Sequence, residues 1–424
     1  MNNFFKKAGK VFKDKKLRGK ILFVVFAFFL FRLLTSIPVP GVDTFRLQSF
    51  LEGNQLFGIL NIFSGGGLAN LSIGMLGVGP YITGSIIMQL LTIMIPRLKE
   101  LYHEEGETGR RRFAQLSRII TVPLAVVQGT SLLFILERQG ILEYLTLFDK
   151  IQNIILITAT SILIMWIGEL ISEYGIGNGV SLLIFAGIVA SFPTQLGQLV
   201  FAYDPSQITT YIGFGLLSLL VIGGIVAISE AERSVPVTYA RQSRSMGKTS
   251  GGVNSYIPIR INQAGVMPII FALSILTFPQ IIGNFLVNSD NQTLASLAQK
   301  MMAFNQASVW YAVIYFVLVA LFTYFYTAIT FDPESMSKNL QRSGAFIPGI
   351  RPGEATEEYV SSIVTRVTLV GALFLGTIAV LPIIVQQVTG ITAIALGGTA
   401  ILIVVNVVTD FLKKLDAQVT MREY

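Results

Sequence analysis

Cysteine is missing from all 424 residues, and histidine occurs once, as His103 in a polar, Glu-rich stretch. The first absence excludes disulfides, thiol nucleophiles and thiolate metal sites. The second excludes a His-based metal site or a relay of histidines. Charge is scarce too: charged residues make up 13% of the chain and hydrophobic residues 52%. Soluble domains carry about 25% charged residues, so this is an integral membrane protein, and its apolar runs leave no room for a separate soluble domain. Catalytic equipment is also lacking. Met246-Gly247-Lys248-Thr249 ends like a phosphate-binding loop, but the glycine needed five residues before Gly247 is Gln242, and no β-strand is expected ahead of it. There is no nucleophile–base constellation, no cofactor site and no metal site. Any energy source belongs to a partner.

What the chain does have is long apolar runs. Residues 1–20 hold eight Lys/Arg and one Asp, with Phe4, Phe5, Ala8, Val11 and Phe12 on one helical face, the pattern of a short amphipathic helix on a membrane surface. The run from Ile21 to Ile37 exceeds the apolar core of a signal peptide and ends in SIPVPG, so it reads as an uncleaved first span. Nine more spans are expected near Leu76–Ile95, Leu116–Leu136, Ile151–Ile171, Val180–Phe201, Ile208–Ser229, Ala264–Val287, Val309–Phe331, Ile363–Val385 and Ile391–Leu412. Of the 31 Lys and Arg residues, 26 fall on the side of both termini, 4 on the other, and Arg32 lies within the first span. The positive-inside rule therefore predicts cytoplasmic termini. An even span count with both ends inside makes any two halves of five opposite in orientation, a plan that recurs among transport proteins. Spans two and seven both start near a proline, in VGPYITGSIIMQL and AGVMPIIFALSIL.

The stretch from Leu60 to Pro96 joins two different objects. Residues 60–73 are short, half polar and broken by Gly65, Gly66 and Gly67, whereas the run after Leu76 is nearly continuous and has Pro80 in its first turns. A bilayer crossing needs about 20 apolar residues, and irregular backbone at membrane depth survives only inside protein or along a cavity. Two readings stand on pattern alone: a re-entrant, movable segment in a cavity, or an external loop before an ordinary span.

Charges inside the spans are few. A mid-bilayer charge costs about 2.5–3.5 kcal/mol on insertion scales and usually marks an ion route. Only Arg32 sits clearly within a span, near its external end, where snorkelling is open to it; Glu169 and Asp410 lie near cytoplasmic ends. This scarcity disfavours the alternative of an inverted-repeat secondary transporter for a small solute, and no paired acidic or basic residues suggest an intramembrane enzyme. Two polar loops, 230–263 and 332–362, exceed what a helix connection needs. Arg241, Arg244, Lys248 and Arg260 in one, with Lys338, Arg342 and Arg351 in the other, either form a basic docking surface or only enforce topology. Arg351 lies between Pro348 and Pro352 and reads as positioned.

Eight blocks carry a resemblance: NIFSGGGL, GPYITGSIIMQLLT, GIGNGVSLLIFAGI, SEAERSVPVTYARQ, INQAGVMPIIFA, SGAFIPGIRPGE, TRVTLVGA and GGTAILIVV. In this order, across essentially the whole length, they resemble the SecY/Sec61-alpha family, the central subunits of protein-translocation channels. The resemblance implies an all-α fold of ten transmembrane helices in two inverted five-helix halves around a pore, residues 21–202 and 203–412, with a cytoplasmic tail at 413–424. It implies a short re-entrant plug helix at about 60–72, with Phe63, Ser64, Gly65, Gly66, Gly67 and Leu68 at its centre. It implies a pore ring of Ile82, Ile86, Ile184, Ile188, Ile270 and Ile403. It also implies a lateral gate between spans two and seven that involves Gln89, Thr92 and Gln128, with Gln128 a partner for the other two. Arg351 and the basic residues of the 230–260 loop become the docking site for a SecA-type motor or a ribosome. SecE-like and SecG-like small subunits, secretory polypeptides, signal sequences and the lipid bilayer are the remaining implied partners, with no nucleic-acid substrate, at the bacterial plasma membrane. The implied activity is passive, gated passage of unfolded polypeptide. A ring of branched apolar side chains dewets and blocks ions, yet can widen around a chain.

Overall fold

A computed structural model describes residues 14–39, 61, 64–103, 105–138, 140–142, 146–201, 208–239, 254–286, 293, 296–299, 309–389 and 392–420. The main helices are α1 Lys15–Leu34, α2 Gly79–Met94, α3 Pro96–His103, α4 Gly106–Arg138, α5 Leu147–Tyr174, α6 Gly179–Phe201, α7 Ile208–Glu230, α8 Met267–Leu286, α9 Val309–Thr330, α10 Pro333–Arg342, α11 Glu354–Thr389 and α12 Thr392–Thr420. Among the described residues, stretches of α4, α5 and α11, and one that starts with α9, are long and apolar enough to cross a membrane alone; α2 with α3 adds a fifth if the bent pair is one span. Local chemistry sets several boundaries. Asp14 accepts from the backbone N–H groups of Lys16 and Leu17 and starts α1. Thr146 and Asp149 form a reciprocal capping box at the start of α5. Pro96 bars helical backbone at Ile95, which is extended (φ −116°, ψ 103°), so α2 stops after 16 residues.

The chain forms two compact units. One comprises Met1–Thr209, Thr277–Asn305 and Val407–Tyr424; the other comprises Thr210–Leu276 and Gln306–Asn406. In the first, the ends of α4 and α5 enclose a core in which Leu132, Leu133, Leu136 and Ile157 surround Leu68, Leu71 and Met75. At another point Leu17, Ile176 and Val419 are buried together, which joins the start of α1, the turn before α6 and the end of α12. In the second unit α9 packs on α11, where Gly376 leaves room for the ring of Phe316.

The expected fold needs a correction here, because it is not purely helical. A three-stranded antiparallel sheet occupies the two long polar loops: β1 Glu232–Tyr239, β2 Asn254–Arg260 and β3 Ala345–Phe346, in the order β2-β1-β3. The cause is an alternation hidden by prolines. Val235 and Val237 of β1 and Ile259 of β2 point to one core with Leu340, Ile347 and Val360. Pro236 is tolerated because β3 pairs only with Thr238 and Tyr239, so β1 has a neighbour on one side alone at that position. A strand therefore does run ahead of Met246, contrary to expectation. Residues 240–253 lie outside the described residues, and Gln242 still removes the glycine that a phosphate loop requires.

Candidate functional site: the glycine turn and the helix it rests on

From Ser64 to Val78 the described chain is a stack of turns, and α2 begins only at Gly79; Asn61, the described residue before them, is helical. This corrects the expected plug helix for residues 64–72, and the backbone supplies the reason. Gly65 and Gly66 have φ of +68° and +83°, a left-handed conformation that cannot propagate a helix and that glycine alone adopts at little cost. Phe63 lies outside the described residues.

The turn is closed on itself. Gly66 N–H donates to the Asn61 carbonyl (2.9 Å), Leu68 N–H to Ser64 Oγ (3.0 Å), and Ala69 N–H to Asn61 Oδ1 (2.8 Å). Its far side is anchored. Val39 N–H donates to the Leu71 carbonyl (2.8 Å) and Ile73 N–H to the Ile37 carbonyl (2.9 Å), around a bridge between Pro38 and Ser72. Leu68 and Leu71 are fully buried, and Leu71 keeps a positive φ of 39° that a branched side chain rarely accepts.

Its near side rests on α1 and α6. A Cβ on Gly65 would collide with the Phe31 ring and lie 3.3 Å from the Cα of Gly187. Gly187 stands between Ile184 and Ile188, so the glycine turn sits against the stretch of α6 that carries two of the expected ring residues. All six expected ring residues are buried: Ile82, Ile86, Ile184 and Ile188 in the first unit, Ile270 and Ile403 in the second. Ile82 and Ile86 share one face of α2, and Ile184 and Ile188 one face of α6, as i, i+4 spacing requires.

Arg32 does not simply reach out of the span. Its Nη1 donates to the Gly65 carbonyl at 3.2 Å. Sequence reading missed this bond, although an arginine in a span calls for a partner.

The expected lateral-gate residues do not form one network. Gln128 Nε2 reaches Thr83 Oγ1 (3.4 Å) and does not reach Gln89 or Thr92, since α2 and α4 pack with Gly84 against Ser117 and Thr121. Thr92 Oγ1 donates to the Gln89 carbonyl (2.6 Å), and Gln89 Oε1 is buried without a hydrogen-bond partner. A second polar pair was also missed: Arg118 Nε of α4 meets Glu169 Oε1 of α5 at 2.5 Å. Both residues are visible in the sequence, but their pairing depends on how two helices are rotated.

In the sheet unit, Arg351 is exposed on a loop with fixed ends. Gly349 and Gly353 have positive φ, Thr356 Oγ1 donates to the Arg351 carbonyl (2.8 Å), and Ser337 Oγ donates to the Gly353 carbonyl (2.7 Å). Arg260 is exposed at the end of β2, opposite Glu232. Lys338 is engaged by Glu334 (2.5 Å), whose hydrogen bond and charge raise the pKa of its ammonium above the ordinary 10.5. Arg241, Arg244 and Lys248 lie outside the described residues.

The glycine turn thus lies on the apolar stretch of α6 that carries Ile184 and Ile188. Comparison with known proteins identifies the family. The sequence profile of the SecY family matches residues 72–412. The chain is 42% identical to the protein translocase subunit SecY of Synechocystis over 96% of its own length and 93% of the relative's. It is 39% identical to the protein of the same name from Streptomyces coelicolor, over 98% of both chains. Solved structures share the fold at 19% identity. One described as a protein-conducting channel has a TM-score of 0.64 over 95% of this chain and 92% of its own. Sec61 in a canine ribosome–channel complex has a TM-score of 0.59 over the same shares. The chain belongs to the SecY family. It is a multi-pass membrane subunit of a protein-conducting channel and not an enzyme, and the solute-transporter reading finds no support.

Proposed function

We propose that this chain forms a gated passage for unfolded polypeptide, closed by the glycine turn and constricted by the six isoleucines. Ten spans in two inverted halves, 21–202 and 203–412, would place the constriction between them and both termini in the cytoplasm. The observation that carries this reading is the seat of Gly65 on Gly187, between Ile184 and Ile188. At Gly65 and Gly66 the turn carries no side chains and meets α6 only through close backbone approach, so this part of it would break few contacts in moving. Signal sequences or nascent membrane helices would part spans two and seven, where Gln89 has an unspent acceptor, and the isoleucines would then close around the moving chain. The sheet unit, with Arg351, Arg260, Arg241, Arg244 and Lys248, would meet a SecA-type motor or a ribosome. SecE-like and SecG-like small subunits would complete the assembly in the plasma membrane.

The test is site-specific crosslinking. Photoreactive probes at Ile86 and Ile270, in the full chain reconstituted with its small partners and a motor, should capture a stalled secretory chain at both positions. They should lose it on release. An engaged substrate that crosslinks at neither position would remove the ring assignment.

A further inference from the structure

We infer that Arg32 is the clasp that holds the glycine turn in its seat, and hence a positioning residue for channel closure. The inference rests on reading that turn as the plug.

Four observations lead to it. Among the described residues, the only hydrogen bond to the Gly65 carbonyl comes from Arg32, and no carboxylate lies within ion-pair distance of the guanidinium. The positive φ angles of Gly65 and Gly66 turn the backbone so that this carbonyl stays out of the turn's own bonds. The contact is built from both partners: Phe31, adjacent to Arg32, fills the place of a Gly65 side chain, and a Cβ on Gly66 would approach Arg32 Nη1 to 3.4 Å. Finally, the residues that follow do not depend on Arg32. Leu68 and Leu71 are fixed in the apolar core, and Leu71 and Ile73 pair with Val39 and Ile37. The segment thus has a fixed side from Leu68 onward and a clasped side at Gly65–Gly66. Gly67 lies between them, where a Cβ would stand 2.8 Å from the Gly74 carbonyl oxygen.

The chemistry of the clasp suits a gate. Its acceptor is a neutral backbone carbonyl, the group that every extended polypeptide displays along its length. A translocating chain or water can therefore replace Gly65 as acceptor and leave the arginine satisfied in the open channel. A carboxylate in the same position would not exchange so readily, because burying its charge needs a dedicated partner.

The experiment compares Arg32→Gln, Arg32→Lys and Gly65→Ala in the full chain, co-reconstituted with its small partner subunits. Resting ion leak and export of a substrate with a defective signal sequence are measured, and thermal midpoint and complex yield serve as controls for folding. Arg32→Gln should raise the leak roughly tenfold, the loss expected for one charge-assisted hydrogen bond, and should admit the defective substrate at an unchanged midpoint. Arg32→Lys, which keeps a charged donor, should retain most of the seal. Gly65→Ala displaces the turn through Phe31 and should leak whatever residue 32 is. A tight Arg32→Gln channel beside a leaky Gly65→Ala channel would overturn the clasp and leave the plug standing. Tight channels in both would overturn the plug itself. A Lys variant as leaky as the Gln variant would show that the charged donor is not what holds the turn.

Discussion

The glycine turn and the sheet are both irregular, glycine-punctuated departures from a helical chain, and they solve the same backbone problem in opposite ways. In the turn, residues 64–78 are held by single hydrogen bonds of mixed origin: neighbouring carbonyls, the Asn61 and Ser64 side chains, the backbone of Ile37 and Val39, Arg32, and Ser161, which donates to the Gly77 carbonyl, while Leu68 and Leu71 supply the apolar anchor. In the sheet, strands more than a hundred residues apart in sequence exchange a ladder around a separate small core. Backbone at membrane depth has no water to fall back on, so it must be complete within itself. Backbone with water at hand can leave edges open, as β2 does on its outer side. The turn thus has an anchored side at Leu68 and Leu71 beside a lighter contact at Gly65–Gly66, and the sheet has a core of its own beneath the exposed Arg351 loop.

That contrast can be broken by substitution. The largest effect is expected from Leu68→Ala, which empties a fully buried site on the anchored side of the turn. It should cost about 2–5 kcal/mol of stability, read as a lower unfolding midpoint in detergent together with a higher resting ion leak. Val237→Ala removes a buried side chain from the core of the sheet and should cost roughly 1–3 kcal/mol. Limited proteolysis should then cut β1 and β2 faster while the leak stays at its original value; a leak that rose in step would mean that the two regions are coupled. Arg351→Glu should have the smallest effect on stability, within about 0.5 kcal/mol for an exposed residue. It should nevertheless impair motor-driven export. Normal export by this variant would make the charge dispensable and the loop a passive connection.

Much of the helical framework was legible. The expected runs Ile151–Ile171 and Val309–Phe331 fall almost wholly within α5 and α9, because continuous apolar sequence bounded by polar residues has few other ways to fold in a membrane. The glycine triplet was legible as a break, but its form was not: residues 64–72 are turns because two successive glycines take left-handed backbone, and sequence does not say which glycine will do so. The sheet is hidden in the sequence although Val235-Pro236-Val237 and Ile257-Pro258-Ile259 alternate as strands do, because proline normally argues against a strand and the missing neighbour that permits it is a tertiary fact. Gln128 meets Thr83 of α2, not the expected Gln89 or Thr92, for a similar reason. Thr83 and Gln89 both stand on that helix, and only the close approach at Gly84 decides which of them Gln128 meets.

The Arg118–Glu169 pair spans 51 residues of sequence. A chain made at about 5–20 residues per second thus presents the arginine roughly 3–10 seconds before its carboxylate exists. α4 and α5 pack on one another, so this ion pair forms only once both helices exist: it is a contact that the earlier helix cannot make by itself.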